Sequence, residues 1–294
     1  MANYYKTNII YDSLLDNGDF IWVSGNAWSL IYGDKQSIPK LIAFVYGTSW
    51  NIQENIIIFS KSLSRKTKLP VCFIEFDDDE DNYIEKVRIS YDFEKFDILT
   101  LDELKEVFKT NGLNIDNKPC SKYLNDKTSS AYHTWQRNSL GYNITVSDID
   151  LIRMHNNKHI EIIELKRSFK NVSIWSPYSD DFANFNLLYN LAIKANFCFT
   201  IAYNQRITKP MFNDIKEPLS IFEFKINSAN KIADNISFDD FKKGIYHIYF
   251  TSDMKKYVDV PFCNIEIQDL RTLSSLNTCY KEKAINELRR RNAI

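Results

Sequence analysis

Asp148, Asp150, Glu164 and Lys166 gather in the stretch VSDIDLIRMHNNKHIEIIELKRS, which runs from Val146 to Ser168. Asp148 and Asp150 lie in one apolar run; Glu164 lies in the next, with Lys166 two residues beyond it. A carboxylate inside a mostly apolar strand costs free energy unless it is paired or bound to a cation. Acids from adjacent strands, brought to one point, make the hard oxygen site that Mg²⁺ prefers. Lys166 falls on the same strand face as Glu164 and can hold an attacking water or hydroxide by charge and hydrogen bonding. A bound metal lowers the pKa of such a water and neutralises charge growing on a phosphate oxygen. That kit suffices for phosphodiester hydrolysis and needs no cysteine or histidine nucleophile.

The two apolar runs flank Asn156-Asn157-Lys158, so a β-hairpin is the simplest reading. Side chains alternate along a strand, which puts Asp148, Asp150 and Ile152 on one face of the first strand. In the second, Ile162, Glu164 and Lys166 share a face, and Ile163 and Leu165 take the other. The competing reading is a surface hairpin in which the same acids and lysine form solvated cross-strand ion pairs. Ile152 and Ile162, on the same faces as the acids, argue against it.

On these residues the chain resembles the PD-(D/E)XK nuclease superfamily, which includes type II restriction endonucleases, archaeal Holliday-junction resolvases and RecB-type nucleases. Its pattern is an acid, an apolar residue, Asp, two apolar residues, a hairpin, then apolar-Glu-x-Lys. Here it reads Asp148-Ile-Asp150-Leu-Ile, then Ile162-Ile-Glu164-Leu-Lys166. The resemblance implies that Asp150 and Glu164 ligate Mg²⁺ and that the Leu165 carbonyl assists. It also implies that Asp148 is an auxiliary or alternative ligand and that Lys166 positions the nucleophile. It extends over Ser130 to Tyr203, a minor part of the chain. Ser147 and Ile149 stand where relatives carry proline, and AYHTWQR lacks the glutamate many relatives place on the first core helix. Ser130, His133 or Gln136 would substitute, or the site uses fewer protein ligands. The segment Asp181–Asn196 lacks the Gln-x-x-x-Tyr of RecB-type members.

The elements that must position these groups read as α/β. Leu41–Tyr46 and Val71–Phe76 are apolar runs suited to strands, and Gln53–Lys66 between them has helical spacing. Val87–Tyr91 reads as a strand. Thr100-Leu-Asp-Glu103 is a capping box opening a helix that stops near Asn111-Gly112. The polar stretch from Asn114 to Ser130 marks a domain boundary. Beyond it come a helix (Ser130 to Arg137), a strand or bent strand pair (Tyr142 to Met154) and a strand (His159 to Arg167). A helix (Asp181 to Asn196) and strands at Phe197–Tyr203 and Leu219–Ile226 follow. Helices are expected near Phe238–Lys243 and over Lys281–Asn292. The expected fold is thus a restriction-endonuclease-like mixed sheet flanked by helices in residues 116–294. Residues 1–115 form an additional N-terminal α/β portion for recognition, regulation or dimerisation.

Composition narrows the function. The chain has 294 residues, 44% hydrophobic and 26% charged, with 37 basic against 38 acidic residues. Bulk charge therefore does not drive nucleic-acid binding, although a local basic cleft would. The five cysteines form no C-x-x-C pair, and the first twenty residues show no secretory signal, which points to a reducing cytoplasm. Mean hydropathy is -0.35, and no apolar stretch reaches a membrane span. Asp77–Asp81 reads as a solvated acidic turn. His155 and His159 read as turn residues and His133 as a partly buried helix residue. Lys166-Arg167 and Lys170 are candidates to track a phosphate backbone. Arg289–Arg291 suit a helix C-terminus. The function expected is Mg²⁺-dependent cleavage of double-stranded DNA by a homodimer in restriction or phage defence. A repair, junction-resolving or transposition nuclease shares the chemistry; a non-catalytic nucleic-acid-binding module shares only the fold.

Overall fold

The nine residues PKLIAFVYG carry no charge except Lys40, and every one but Lys40 is buried. A strand so apolar on both faces belongs at the centre of a covered sheet. In the computed structural model it is β3 (Pro39–Gly47). The structure describes residues 20–22, 27–79, 83–119, 130–155, 159–168, 181–205 and 220–226. Among these it is a mixed α/β protein with four helices and two mixed sheets.

β3 lies between β2 (Trp28–Asp34), antiparallel to it, and β4 (Val71–Phe76), parallel to it. Parallel neighbours need a crossover, and α1 (Glu54–Thr67) supplies it. β5 (Lys86–Ser90) and β6 (Asp97–Thr100) extend the sheet beyond β4, and β7 (Ile144–Asp148) pairs with β2 at the other edge. Residues 41, 43 and 45 of β3 join one apolar cluster with Phe108 of α2 (Leu101–Thr110) and with Tyr132 and Trp135 of α3 (Ala131–Ser139). Phe44, on the opposite face, meets Phe59 of α1 with ring centroids 6.4 Å apart. Helices therefore cover both faces. α4 (Asp181–Ala195) reaches the same sheet at Gly33, where an added Cβ would stand 2.5 Å from the Leu187 Cδ1. The α2 capping box forms as expected: the Glu103 N–H donates to the Thr100 hydroxyl and the Thr100 N–H donates to the Glu103 carboxylate. The helix ends at Gly112, whose φ of 84° suits a residue without a side chain.

The second sheet has the order β1-β8-β9-β10-β11. Its members are β1 (Phe20–Trp22), β8 (Leu151–His155), β9 (His159–Ser168), β10 (Cys198–Gln205) and β11 (Ser220–Ile226). β8 and β9 are sheet neighbours joined by three residues, so they can only be an antiparallel hairpin. β9 and β10 are parallel, and β10 and β11 antiparallel. Contacts divide the chain into two units. Ile21–Ile152 with Ala183–Phe197 holds the first sheet; Arg153–Phe182 and Cys198 onward hold most of the second.

The expected strand pair over Tyr142–Met154 is present as β7 and β8, but the two belong to different sheets. The alternation that put Asp148, Asp150 and Ile152 on one face assumed one continuous strand; the break at Ile149–Asp150 removes that assumption. The helices expected near Phe238–Lys243 and over Lys281–Asn292, with Arg289–Arg291, lie outside the described residues, as do Asn156–Lys158, Lys170, Asp81 and residues 120–129 of the expected boundary.

A buried polar network ties α3 to the first sheet. The Tyr32 hydroxyl donates to Gln136 Oε1 at 2.7 Å, so the Tyr132 hydroxyl donates to Tyr32 at 3.0 Å. Burial, reinforced by the neighbouring Tyr132, pushes the Tyr32 phenol well above 10, and burial raises Tyr132 as well. Both stay neutral donors. Tyr32→Phe strands the Gln136 acceptor and the Tyr132 hydroxyl, and denaturant unfolding is expected to show a loss of about 1–3 kcal/mol. At the β5–β6 turn, the Asp92 carboxylate accepts from the backbone N–H groups of Glu94 and Lys95 and from the Ser90 hydroxyl, which lowers it from 3.8 to about 2. A folded value below the unfolded one gives stability that is complete above about 3.8 and disappears as pH falls toward about 2. The melting-temperature gap between wild type and Asp92→Ala should therefore close across that window.

Candidate functional site

β9 sits between β8 and β10, so neither of its edges is free. Glu161, Ile162, Ile163 and Glu164 are all buried, Glu164 to 7% exposure. Two aliphatic residues in this company are ordinary; two glutamates are not. A carboxylate so placed must be compensated. For Glu164 the compensation is two residues along the same face. The Lys166 Nζ lies 2.8 Å from Glu164 Oε1, with only a quarter of the lysine side chain exposed. The same Nζ lies 3.4 Å from Asp181 Oδ1. Asp181 opens α4, where the helix dipole favours an acid. The lysine thus rests between two carboxylates, one on a strand and one on a helix start. Glu161, three residues before Glu164, takes the opposite face of β9 by the alternation of the strand.

The aspartates belong to the other unit. Asp148 is the last residue of β7, half-buried, and pairs in register with Leu30. The Ile149 N–H donates to the Ser29 carbonyl at 3.0 Å, carrying the ladder one step further. Asp150 follows, 8% exposed, in the two-residue link between β7 and β8. The unit division, between Ile152 and Arg153, falls between the aspartates and the Glu164–Lys166 pair. The structure brings Glu164, Lys166 and Asp181 together. Leu165, half-buried, stands between the first two on β9.

Ser130, His133 and Gln136, the expected substitute ligands on α3, have occupations of their own. Gln136 accepts from Tyr32 inside the core. Ser130 caps α3, accepting from the His133 N–H, and its hydroxyl also lies 2.9 Å from His133 Nδ1. The His133 ring stands edge-on to Trp28, with centroids 4.5 Å apart. His155 and His159 lie on β8 and β9, and their side chains are outside the described residues.

A further acidic group lies after β4, where ligand atoms of Asp77, Asp78 and Asp79 fall within 4.8 Å of one another. The Asp78 carboxylate accepts from the Thr48 hydroxyl at 3.1 Å, from the Ser49 N–H at 3.0 Å and from the Ser49 hydroxyl. It packs over Gly47, where a Cβ would stand 2.4 Å from its Cγ. Partial burial raises its pKa, but the hydrogen bonds from Ser49 and Thr48 outweigh this and leave it below the usual range. These partners tie the loop after β4 to the loop after β3, a structural task that accounts for the aspartate.

Sequence reasoning passed over Asp181, whose signal is an acid at a helix start, and Glu161, whose signal is an acid in an apolar strand. No described helix is long and apolar enough to cross a membrane. Neither the family models, the curated proteins nor the solved structures contain a match to this chain.

Removing the lysine takes away a cation that stands 2.8 Å from the buried Glu164 carboxylate. Lys166→Met should therefore lower the unfolding free energy by about 1–3 kcal/mol in denaturant titrations. Salt should not reproduce that loss, since a buried pair is weakly screened.

Proposed function

We propose that the chain is a Mg²⁺-dependent endonuclease that hydrolyses phosphodiester bonds of double-stranded DNA. Its biology is restriction or phage defence, in the cytoplasm, on a restriction-endonuclease-like core. The observation that carries the reading is the Glu164–Lys166 pair, 2.8 Å apart on a buried central strand. An acid and a lysine two residues apart on a surface hairpin would both face water; here Glu164 is buried and only a quarter of the Lys166 side chain is exposed. The order α3, β7, β8, β9, α4, β10 also follows the helix, three strands, helix, strand of that superfamily. β7 departs from it by pairing with β2 of the other sheet.

Asp150 and Glu164 are the ligands this reading assigns to the cation, with the Leu165 carbonyl assisting and Asp148 as auxiliary. Their fit rests on donor chemistry: both are buried carboxylates, hard oxygen donors that an ion of high charge density rewards. Mg²⁺ bound there supplies Lewis acidity and neutralises charge on the phosphate. Lys166 Nζ donates a hydrogen bond to the attacking water, and its charge favours the hydroxide form. Ile162 and Ile163, the neighbours of Glu164 along β9, are buried, which limits its screening by bulk water. Cutting both strands of a duplex calls for two sites, hence a homodimer.

Plasmid DNA incubated with the chain should be nicked or linearised with Mg²⁺ and left intact with EDTA. Asp150→Ala, Glu164→Ala and Lys166→Ala should each reduce cleavage by about 10²-fold or more, with DNA binding largely retained. Full activity in the folded Glu164→Ala protein discards the assignment. DNA binding without cleavage under every metal condition favours a non-catalytic module instead.

A further inference from the structure

Resting on the nuclease reading above, we propose that Asp181 is a positioning residue. It offers the Lys166 ammonium a second carboxylate, so that Glu164 can be given over to a divalent cation without losing the lysine.

The geometry sets the problem. Lys166 Nζ sits at 2.8 Å on Glu164 Oε1, the same carboxylate that is to hold the metal. Two cations on one carboxylate repel each other. A lysine with no other anchor would either compete with the metal for Glu164 or swing away from it once the metal arrives. Asp181 Oδ1, 3.4 Å from the same Nζ, is the alternative seat.

Three features suit it to that task. It comes from α4 rather than β9, so its place is set by a different element from the one that carries Glu164. It lies in the first turn of a 15-residue helix, where the dipole favours a charged acid. Its longer separation makes it the weaker partner of the two at rest, so the lysine shifts toward it only when Glu164 is engaged elsewhere. A lysine kept in place by Asp181 remains beside the attacking water and adds less repulsion to the metal.

The test is divalent-cation affinity of the full chain, measured by calorimetric titration with Mn²⁺, an ion that suits the same carboxylate donors. Asp181→Asn is expected to weaken Mn²⁺ binding about 10-fold or more, and Asp181→Glu to restore most of it. In a Lys166→Met background, Asp181→Asn should change the affinity by less than about 2-fold, because the group through which it acts is gone. Asp181→Ser, which keeps a good helix start, replaces Asp181→Asn if that variant does not fold. Equal losses in the two backgrounds would mean a plain long-range charge effect, and no loss in either would mean no role; both overturn the proposal. A wild-type chain that binds no Mn²⁺ overturns the nuclease reading and this proposal with it. Wild-type binding that Asp181→Asn leaves unchanged overturns this proposal alone.

Discussion

A charged carboxylate inside a strand covered by neighbours on both sides is the constraint on which the rest of the second unit depends. Such a group is stable only if a cation is within reach and the geometry is good. In β9 the cation is Lys166, two residues along, which is the shortest spacing that keeps two side chains on one face. The strand could not slip by one residue relative to β8 and β10 without turning Glu164 and Lys166 to the opposite face. The ion pair therefore does more than offset a desolvation cost; it ties the register of the central strand to the position of two charged groups. The parallel neighbour β10 requires a crossover, and the crossover helix α4 begins with the second acid that the lysine touches. Topology and electrostatics thus converge on one ammonium.

The first unit meets its own constraint differently. Its central strand carries almost no polar side chains, and one buried polar network beside it is neutral and matched. Tyr32, Tyr132 and Gln136 share their hydrogens in a chain with a single consistent direction. Two of its acids, Asp78 and Asp92, lie in loops and are held by backbone N–H and hydroxyl donors. These two serve turns. Glu161 and Glu164 of the second unit lie inside a strand, where turn chemistry does not explain them, and this contrast is what sets Glu164 apart from Asp77–Asp79.

What could be read in advance divides along the same physical line. The α2 capping box, the stop at Asn111-Gly112, the apolar cores of β3 and β4, and the strand holding Glu164 were legible because local hydrogen bonding and periodicity determine them. The Glu164–Lys166 pairing was legible too, since alternation alone places the two side by side. β2 was not. Trp28–Asp34 has no clear alternation because helices cover both faces of its sheet, and its role is set by pairing with β3 and β7. Asp181 was missed because its contact with Lys166 joins a strand to a helix that lies well beyond it in the sequence, and no sequence period records such an encounter.

The change of sheet at Ile149–Asp150 bears most directly on function. Up to Ile149 the backbone still bonds to β2, and at Leu151 it begins a strand of the other sheet. A residue at such a crossing has no fixed alternation to obey, so its side chain is free of the pleat that orients Asp148. Asp150 is nonetheless 8% exposed, as deeply buried as Glu164 within the strand interior. A link between strands is ordinarily polar because it meets water, and a buried acid there is unusual on the same grounds as a buried acid in β9. Of the two aspartates, Asp148 is half-buried at a strand end and could be satisfied by solvent. Asp150, 8% exposed, could not, so its carboxylate must be met inside the protein.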